Sequence, residues 1–225
     1  MSAKLRPVGA EFLGTALFVF IGAGSVVANA VTNGGVTNLG VALAHGVGMA
    51  VLISSLMSIS GGHFNPAVSL GLFVAGKIDG RTLGQYVVAQ IVGGIVGAAL
   101  VRGLFNPASV RAVSDGVPHL SLTITFWQAV GLEAVLTFFL VSAVFGTAVS
   151  PQAPKIGGFG IGLAIFVSAL VAGGLTGAAL NPARAIGPAV VAWTFQSQAV
   201  YWIGPGIGGV VAGWVWKTFL LPASG

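Results

Sequence analysis

Six apolar stretches, each near the ~20 residues that a helix needs to cross hydrocarbon, limit this chain to one kind of fold. They run roughly Val8–Val31, Leu39–Ile59, Thr82–Leu104, Thr123–Val149, Ile156–Leu175 and Ala199–Leu221. Only 6% of the 225 residues are charged and 56% are hydrophobic. A soluble fold of this size could not cover its surface with so few charges, whose usual share is about 25%. Disorder is excluded by the same apolar excess. The fold class is therefore an all-α, polytopic membrane protein. Two further apolar stretches, Pro66–Gly76 and Pro182–Trp193, are too short to span. They are expected to be re-entrant segments buried in protein.

The order is span, span, short segment, span, and then the same again. Asn-Pro-Ala triplets open both short segments, at Asn65-Pro66-Ala67 and Asn181-Pro182-Ala183. Each half holds an odd number of spans, so the second half starts on the opposite face. The expectation is one membrane domain over residues 1–225, built of inverted repeats at about 1–112 and 118–225. Lys4, Arg6, Lys77, Arg81, Lys155 and Lys217 fall on one side, against Arg102 and Arg111 on the other. That bias puts both termini in the cytoplasm. The basic N-terminus precedes an apolar run without a small-residue cleavage site, so it is read as a retained first span. The net charge of +5 forms no basic cluster, and no nucleic-acid partner is expected. Cysteine is absent, which removes thiol chemistry. No cofactor, metal site or enzyme activity is expected.

Asn is a favoured N-cap and Pro a favoured first helical residue, so each triplet starts a helix. Two short helices entering from opposite faces bring their N-termini together near mid-membrane. Each end carries roughly half a positive charge, which repels cations and hydrated protons. The Asn amides add N–H donors. The residues before each Asn, including Gly61, Gly62 and His63 in one half and Gly177, Ala178 and Ala179 in the other, expose backbone carbonyls that only a water-lined path would tolerate. The pattern describes a passive channel for water and small neutral solutes that excludes protons and ions.

The segments Ser60-Gly61-Gly62-His63-Phe64-Asn65-Pro66-Ala67-Val68-Ser69 and Asn181-Pro182-Ala183-Arg184-Ala185-Ile186-Gly187-Pro188-Ala189 resemble the two signatures of the aquaporins, of the major intrinsic protein family. The resemblance covers essentially the whole chain. It implies a right-handed bundle of six transmembrane helices and two half-helices, and a homotetramer in lipid with a pore in every protomer. It implies an outer constriction made by His45, Ala169, Ala178 and Arg184. Water-selective members usually carry an aromatic residue where His45 stands and a histidine where Ala169 stands. The filter is closer to that of tonoplast members, which extends the expected solutes to ammonia. His119 falls in the outer loop, where tonoplast-like members place a histidine near the filter. Glycerol facilitators usually carry Asp where Ala185 stands, and Tyr201-Trp202 resembles the aromatic pair of water channels. Glu11 and Glu133 are expected to accept backbone N–H groups of the re-entrant loops, with Gln90 assisting.

The remaining readings are local. Gly93, Gly94, Gly97 and Gly204 to Gly208 are expected to be helix-packing seams. Trp127, Trp193, Trp202, Trp214, Trp216, Tyr86 and Tyr201 are read as interface anchors. Residues Phe105–Leu122 are read as a long outer loop. A glycerol facilitator, and a secondary transporter of the inverted-repeat type, are the alternatives. The latter would need ionisable groups at mid-membrane near the triplets, where only Arg184, His45 and His63 are expected to come close and no carboxylate is.

Overall fold

Glycine placement decides which helices touch. On α4 (Gly80–Leu104), a Cβ at Gly94 would stand 2.5 Å from the carbonyl oxygen of Ala183, on the half-helix α8 (Pro182–Ala192). On α9 (Gln198–Val215), a Cβ at Gly209 would stand 2.4 Å from the Ala67 carbonyl of the other half-helix, α3 (Pro66–Val74). Each half-helix thus lies against the third long helix of the opposite half. Gly93 meets the Phe12 carbonyl of α1 (Arg6–Val31), and Gly208 meets the Ala134 carbonyl of α6 (Phe126–Val144). Of the glycine seams read from the sequence, Gly206 faces open space, whereas Gly93, Gly94, Gly97, Gly204 and Gly208 make such contacts. Side chains there would push backbones apart, which membrane helices avoid with small residues.

These contacts come from a computed structural model that describes residues 5–222. Lys4, counted in the charge bias, lies outside the described residues. Besides α1, α3, α4, α6, α8 and α9 the chain forms α2 (Thr37–Ser60), α5 (Pro107–Ala112) and α7 (Phe159–Ala172). Helix α1 packs on α4 and α2, α6 packs on α9 and α7, and α2 packs on α7. The pairings of the first half recur in the second.

Among the described residues, five helices are long and apolar enough to span: α1, α2, α4, and α6 and α9 with wider π-type turns at Phe145–Val149 and Trp216–Leu220. The run expected at Ile156–Leu175 is a correction. Its helix, α7, has only 14 residues, or about 21 Å. Gly157, at φ 58°, precedes it with Gly158, and Gly173-Gly174 ends it in a turn. Other boundaries move because caps act outside the apolar run. Asp79 accepts from Thr82 N and starts α4 at Gly80. Thr125 and Gln128 form a reciprocal capping box and start α6 at Phe126.

Two further readings change. The 105–122 connection is not a plain loop, because Asn106 caps the short helix α5 and the chain then folds inward over the bundle. Tyr86 and Tyr201 are not interface anchors. Both are buried, with tasks described below, whereas Trp127 and Trp193 are 73% and 81% exposed. Trp216 stacks on Phe145, with ring centroids 5.7 Å apart.

Candidate pore and its constriction

Both half-helices begin as their triplets dictate. Asn65 is extended (φ −157°, ψ 120°), and its side-chain oxygen accepts from Ala67 N at 2.8 Å. Asn181 is extended too, and accepts from Ala183 N at 3.0 Å and Arg184 N at 3.2 Å. Pro66 and Pro182 sit at the first helical positions, where no donor is needed. The two ends are stitched reciprocally: Asn65 Nδ2 donates to the Leu180 carbonyl at 2.9 Å, and Asn181 Nδ2 to the Phe64 carbonyl at 2.8 Å. An amide nitrogen carries two hydrogens. Each Asn therefore keeps one N–H beyond the stitch, and both residues border the same cavity.

The segments before the triplets share an unusual backbone. Gly61, Gly62 and Phe64 have φ of 92°, 66° and 46°, and Gly177, Ala178 and Leu180 have 79°, 44° and 52°. Left-handed φ disfavours side chains, so Phe64, Ala178 and Leu180 store strain that surrounding contacts must hold. Carboxylates supply them. Glu11 accepts from His63 N (3.0 Å), Phe64 N (2.7 Å), Ser60 Oγ (2.7 Å) and Gln90 Nε2 (2.7 Å). Glu133 accepts from Ala179 N (2.9 Å), Leu180 N (2.7 Å) and Thr176 Oγ1 (2.7 Å). Tyr86 Oη donates to the Ser60 carbonyl at 2.9 Å, and Tyr201 Oη to the Thr176 carbonyl at 2.8 Å. Glu11 and Glu133 thus accept backbone N–H groups of the two re-entrant segments, and Gln90 donates to Glu11. The hydroxyls of Ser60, Thr176, Tyr86 and Tyr201 were missed, although Ser60 and Thr176 stand at the same offset before their triplets and Tyr86 and Tyr201 at nearly the same offset after them.

These carboxylates correct another expectation, that no acid comes near the triplets. Glu11 and Glu133 bind the N–H groups of the residues directly preceding Asn65 and Asn181. Both are fully buried and occupied by donors. Glu11 holds four donors and Glu133 three, so both are anchors for backbone.

A cavity of about 270 Å³ runs from Asn29 and Asn38 at one mouth down to Asn65 and Asn181. His45, Ala169, Ala178 and Arg184 all line it, so the four residues assigned to the constriction converge on one space. His119 lines it too, with Gly116, Val117 and Pro118 of the inward-folded connection. Gly177, Ala178 and Ala179 border the cavity; Gly61, Gly62 and His63 lie beyond Asn65 and do not. The His63 ring instead contacts Ser69 Oγ at 3.0 Å and packs edge-on against Tyr86. Ala185 and Tyr201 are buried together outside the cavity, so neither touches a permeant directly.

His45 Nδ1 lies 2.9 Å from the Val41 carbonyl. A carbonyl only accepts, so in the neutral ring Nδ1 carries the proton and Nε2 is an acceptor. Nε2 lies over α1 at Gly22, where a Cβ would come within 2.5 Å of it. Phe18 meets the ring edge-to-face at 5.9 Å. Arg184 is buried. Its Nη1 donates to the Gly116 carbonyl at 3.1 Å, while Nε finds no partner. The cavity wall thus combines a fixed cation, a histidine acceptor, backbone carbonyls and amide donors on an otherwise apolar lining. Such a wall replaces the hydration of a small neutral molecule and opposes a cation. Among the described residues, no cluster of His, Asp or Glu could hold a metal.

Apolar spanning helices around a polar, cation-opposing path, with two half-helices meeting inside, define a membrane channel. A profile of the family described as "Major intrinsic protein" matches residues 1–216, and the chain belongs to that family, whose members are channels and not enzymes. Aquaporin-8 of Notomys alexis is 41% identical over 96% of this chain and 82% of its own length. Aquaporin TIP4-4 of Zea mays is 41% identical over 98% and 89%. Probable aquaporin TIP1-1 of Oryza sativa subsp. japonica is 39% identical over 96% and 88%. The solved aquaglyceroporin of Plasmodium falciparum superposes with a TM-score of 0.86 at 26% identity, covering 97% of each chain. The chain is an integral, multi-pass passive channel for water and small solutes.

Proposed function

We propose that this channel conducts water in single file, passes ammonia beside it, and refuses protons and ions. The observation that carries the reading is the convergence of His45, Ala169, Ala178 and Arg184 on one cavity that ends at Asn65 and Asn181. In this reading Arg184 and the two facing N-termini exclude cations. His45 offers an acceptor to an N–H or O–H of the permeant, and Ala169 leaves room beside it. The carbonyls of Gly177, Ala178 and Ala179 hand the solute to the Asn amides. Gly61, Gly62 and His63 continue the ladder on the other side of the stitch.

The channel is a single domain of two inverted repeats, about 1–112 and 118–225. Both termini are cytoplasmic, supported by Arg6, Lys77, Arg81, Lys155 and Lys217 against Arg102 and Arg111. The proposed location is the plasma or inner membrane. The tonoplast-like filter makes an internal membrane the other outcome of a localisation assay. Homotetramer assembly is supported by the resemblance, and contact with lipid by outward apolar stripes. Leu39, Leu43, Val47 and Val51 on α2, and Phe159, Leu163 and Val167 on α7, stand exposed at one-turn spacing. The test is stopped-flow permeation in proteoliposomes with water, ammonia, urea and glycerol. Water and ammonia fluxes above empty vesicles, with slower glycerol, support the proposal. Water flux without any added ammonia flux overturns the ammonia assignment.

A further inference from the structure

Arg184 holds one side-chain hydrogen bond, to the carbonyl of Gly116. The direction of that carbonyl is set by an unusual backbone. Ser114, Asp115 and Gly116 follow one another at φ 48°, 57° and 77°. Two consecutive side-chain-bearing residues in the left-handed region do not persist unless something holds them. Two contacts do so. Gly116 packs so tightly on α1 that a Cβ there would stand 2.8 Å from Ala23 Cβ. The Asp115 carboxylate is gripped at both oxygens by Arg102 of α4: Nε to Oδ1 and Nη2 to Oδ2, each 2.8 Å. The carboxylate is buried at 2% exposure, while Arg102 is 48% exposed at the rim. A bidentate guanidinium–carboxylate fork fixes orientation as well as distance. A chain of contacts therefore runs from α4 through Asp115 and Gly116 to the guanidinium in the cavity. Neither Arg102 nor Asp115 lines that cavity.

We propose that the Arg102–Asp115 pair is a specificity-determining clamp, which fixes the Gly116 carbonyl and through it the place of Arg184 in the constriction. Both are positioning residues, since neither touches the permeant. The inference rests on the filter role of Arg184 proposed above. Without the fork the left-handed turn relaxes, the Gly116 carbonyl swings, and Arg184 loses its fixed place. The constriction then loosens for solutes wider than water.

The test is the glycerol-to-water permeability ratio in proteoliposomes, normalised to incorporated protein. Asp115→Asn removes the charge while keeping the shape and a residue type that tolerates left-handed φ. Arg102→Gln attacks the pair from its exposed side, and Arg102→Lys keeps the charge without the fork. The ratio is expected to rise roughly threefold or more in Asp115→Asn and Arg102→Gln, the scale of one lost charge-assisted contact, and by less in Arg102→Lys. Arg184→Val should raise it as well, and adding Asp115→Asn to Arg184→Val should add nothing. If Arg184→Val alone shifts the ratio while the Asp115 and Arg102 variants do not, the clamp is refuted and the filter reading stands. An equal Asp115→Asn effect with Arg184 or Val at that position also refutes the clamp. If Arg184→Val leaves the ratio unchanged, the filter reading falls and the clamp falls with it.

Discussion

Replacing Glu133 with Gln isolates what a buried carboxylate does for the second re-entrant loop. In the native chain Oε1 accepts from Thr176 Oγ1 and Ala179 N, and Oε2 accepts from Leu180 N. Glutamine can leave its oxygen in the first place, but its NH₂ then faces the Leu180 N–H, donor against donor. One bond to a charged acceptor is lost and one buried N–H is orphaned, which together cost about 2–4 kcal/mol. Leu180 sits at φ 52°, so the freed peptide has a strained conformation to escape. Its carbonyl also receives Asn65 Nδ2, so relaxation would unpick the stitch between the half-helices. Taking about 3 kcal/mol and roughly 2–4 °C per kcal/mol for a chain of this size, the melting point of the solubilised channel should fall by roughly 6–12 °C. Water permeability per incorporated protein should fall as well. Glu11→Gln should behave alike, because Glu11 anchors the Phe64 peptide in the same way. A Glu133→Gln protein with unchanged melting point and unchanged water flux would refute the anchoring argument.

Other outcomes follow from the same geometry. The chain has no cysteine, so mercurials should leave its water flux intact, whereas Ala178→Cys should confer block; a labelled Ala178→Cys protein with full flux would remove Ala178 from the constriction. His45→Phe combined with Ala169→His fills the space beside residue 169 and moves the imidazole acceptor from α2 to α7, so ammonia flux should drop several-fold relative to water in stopped-flow assays. Gly209→Val should cost roughly 1–3 kcal/mol or more by overpacking, because even a Cβ there stands 2.4 Å from the Ala67 carbonyl; loss of folded protein on size-exclusion chromatography checks it, and Gly206→Val, facing open space, is the tolerated control.

Hydropathy alone placed the spans, because lipid demands long apolar runs and the chain has little else. The Asn-Pro-Ala triplets at Asn65 and Asn181 gave the half-helix starts to the residue, but only with the apolar runs behind them, because Asn106-Pro107-Ala108 opens the short helix α5 of the connection instead. The four constriction residues came from the resemblance, and their convergence in space has no local signature. The ends of α7 were set three residues too far out, because hydropathy continues through Gly173-Gly174, where the helix does not. Tyr86 and Tyr201 were misread because a tyrosine near a span end looks the same whether it meets the interface or turns inward to a carbonyl. The Asp115–Arg102 fork was illegible for a different reason. It joins a helix end to a connection whose left-handed turn, at Ser114 and Asp115, no periodicity announces.

In the proposed channel, a path admitting water is closed to protons by the facing half-helices and Arg184. The direct measurement is water flux by light scattering and proton flux by an internal pH dye, in the same proteoliposomes over a range of protein densities. Water permeability should rise in proportion to density with a weak temperature dependence, while proton flux stays at the level of empty vesicles. Proton flux rising in step with water flux would contradict the account.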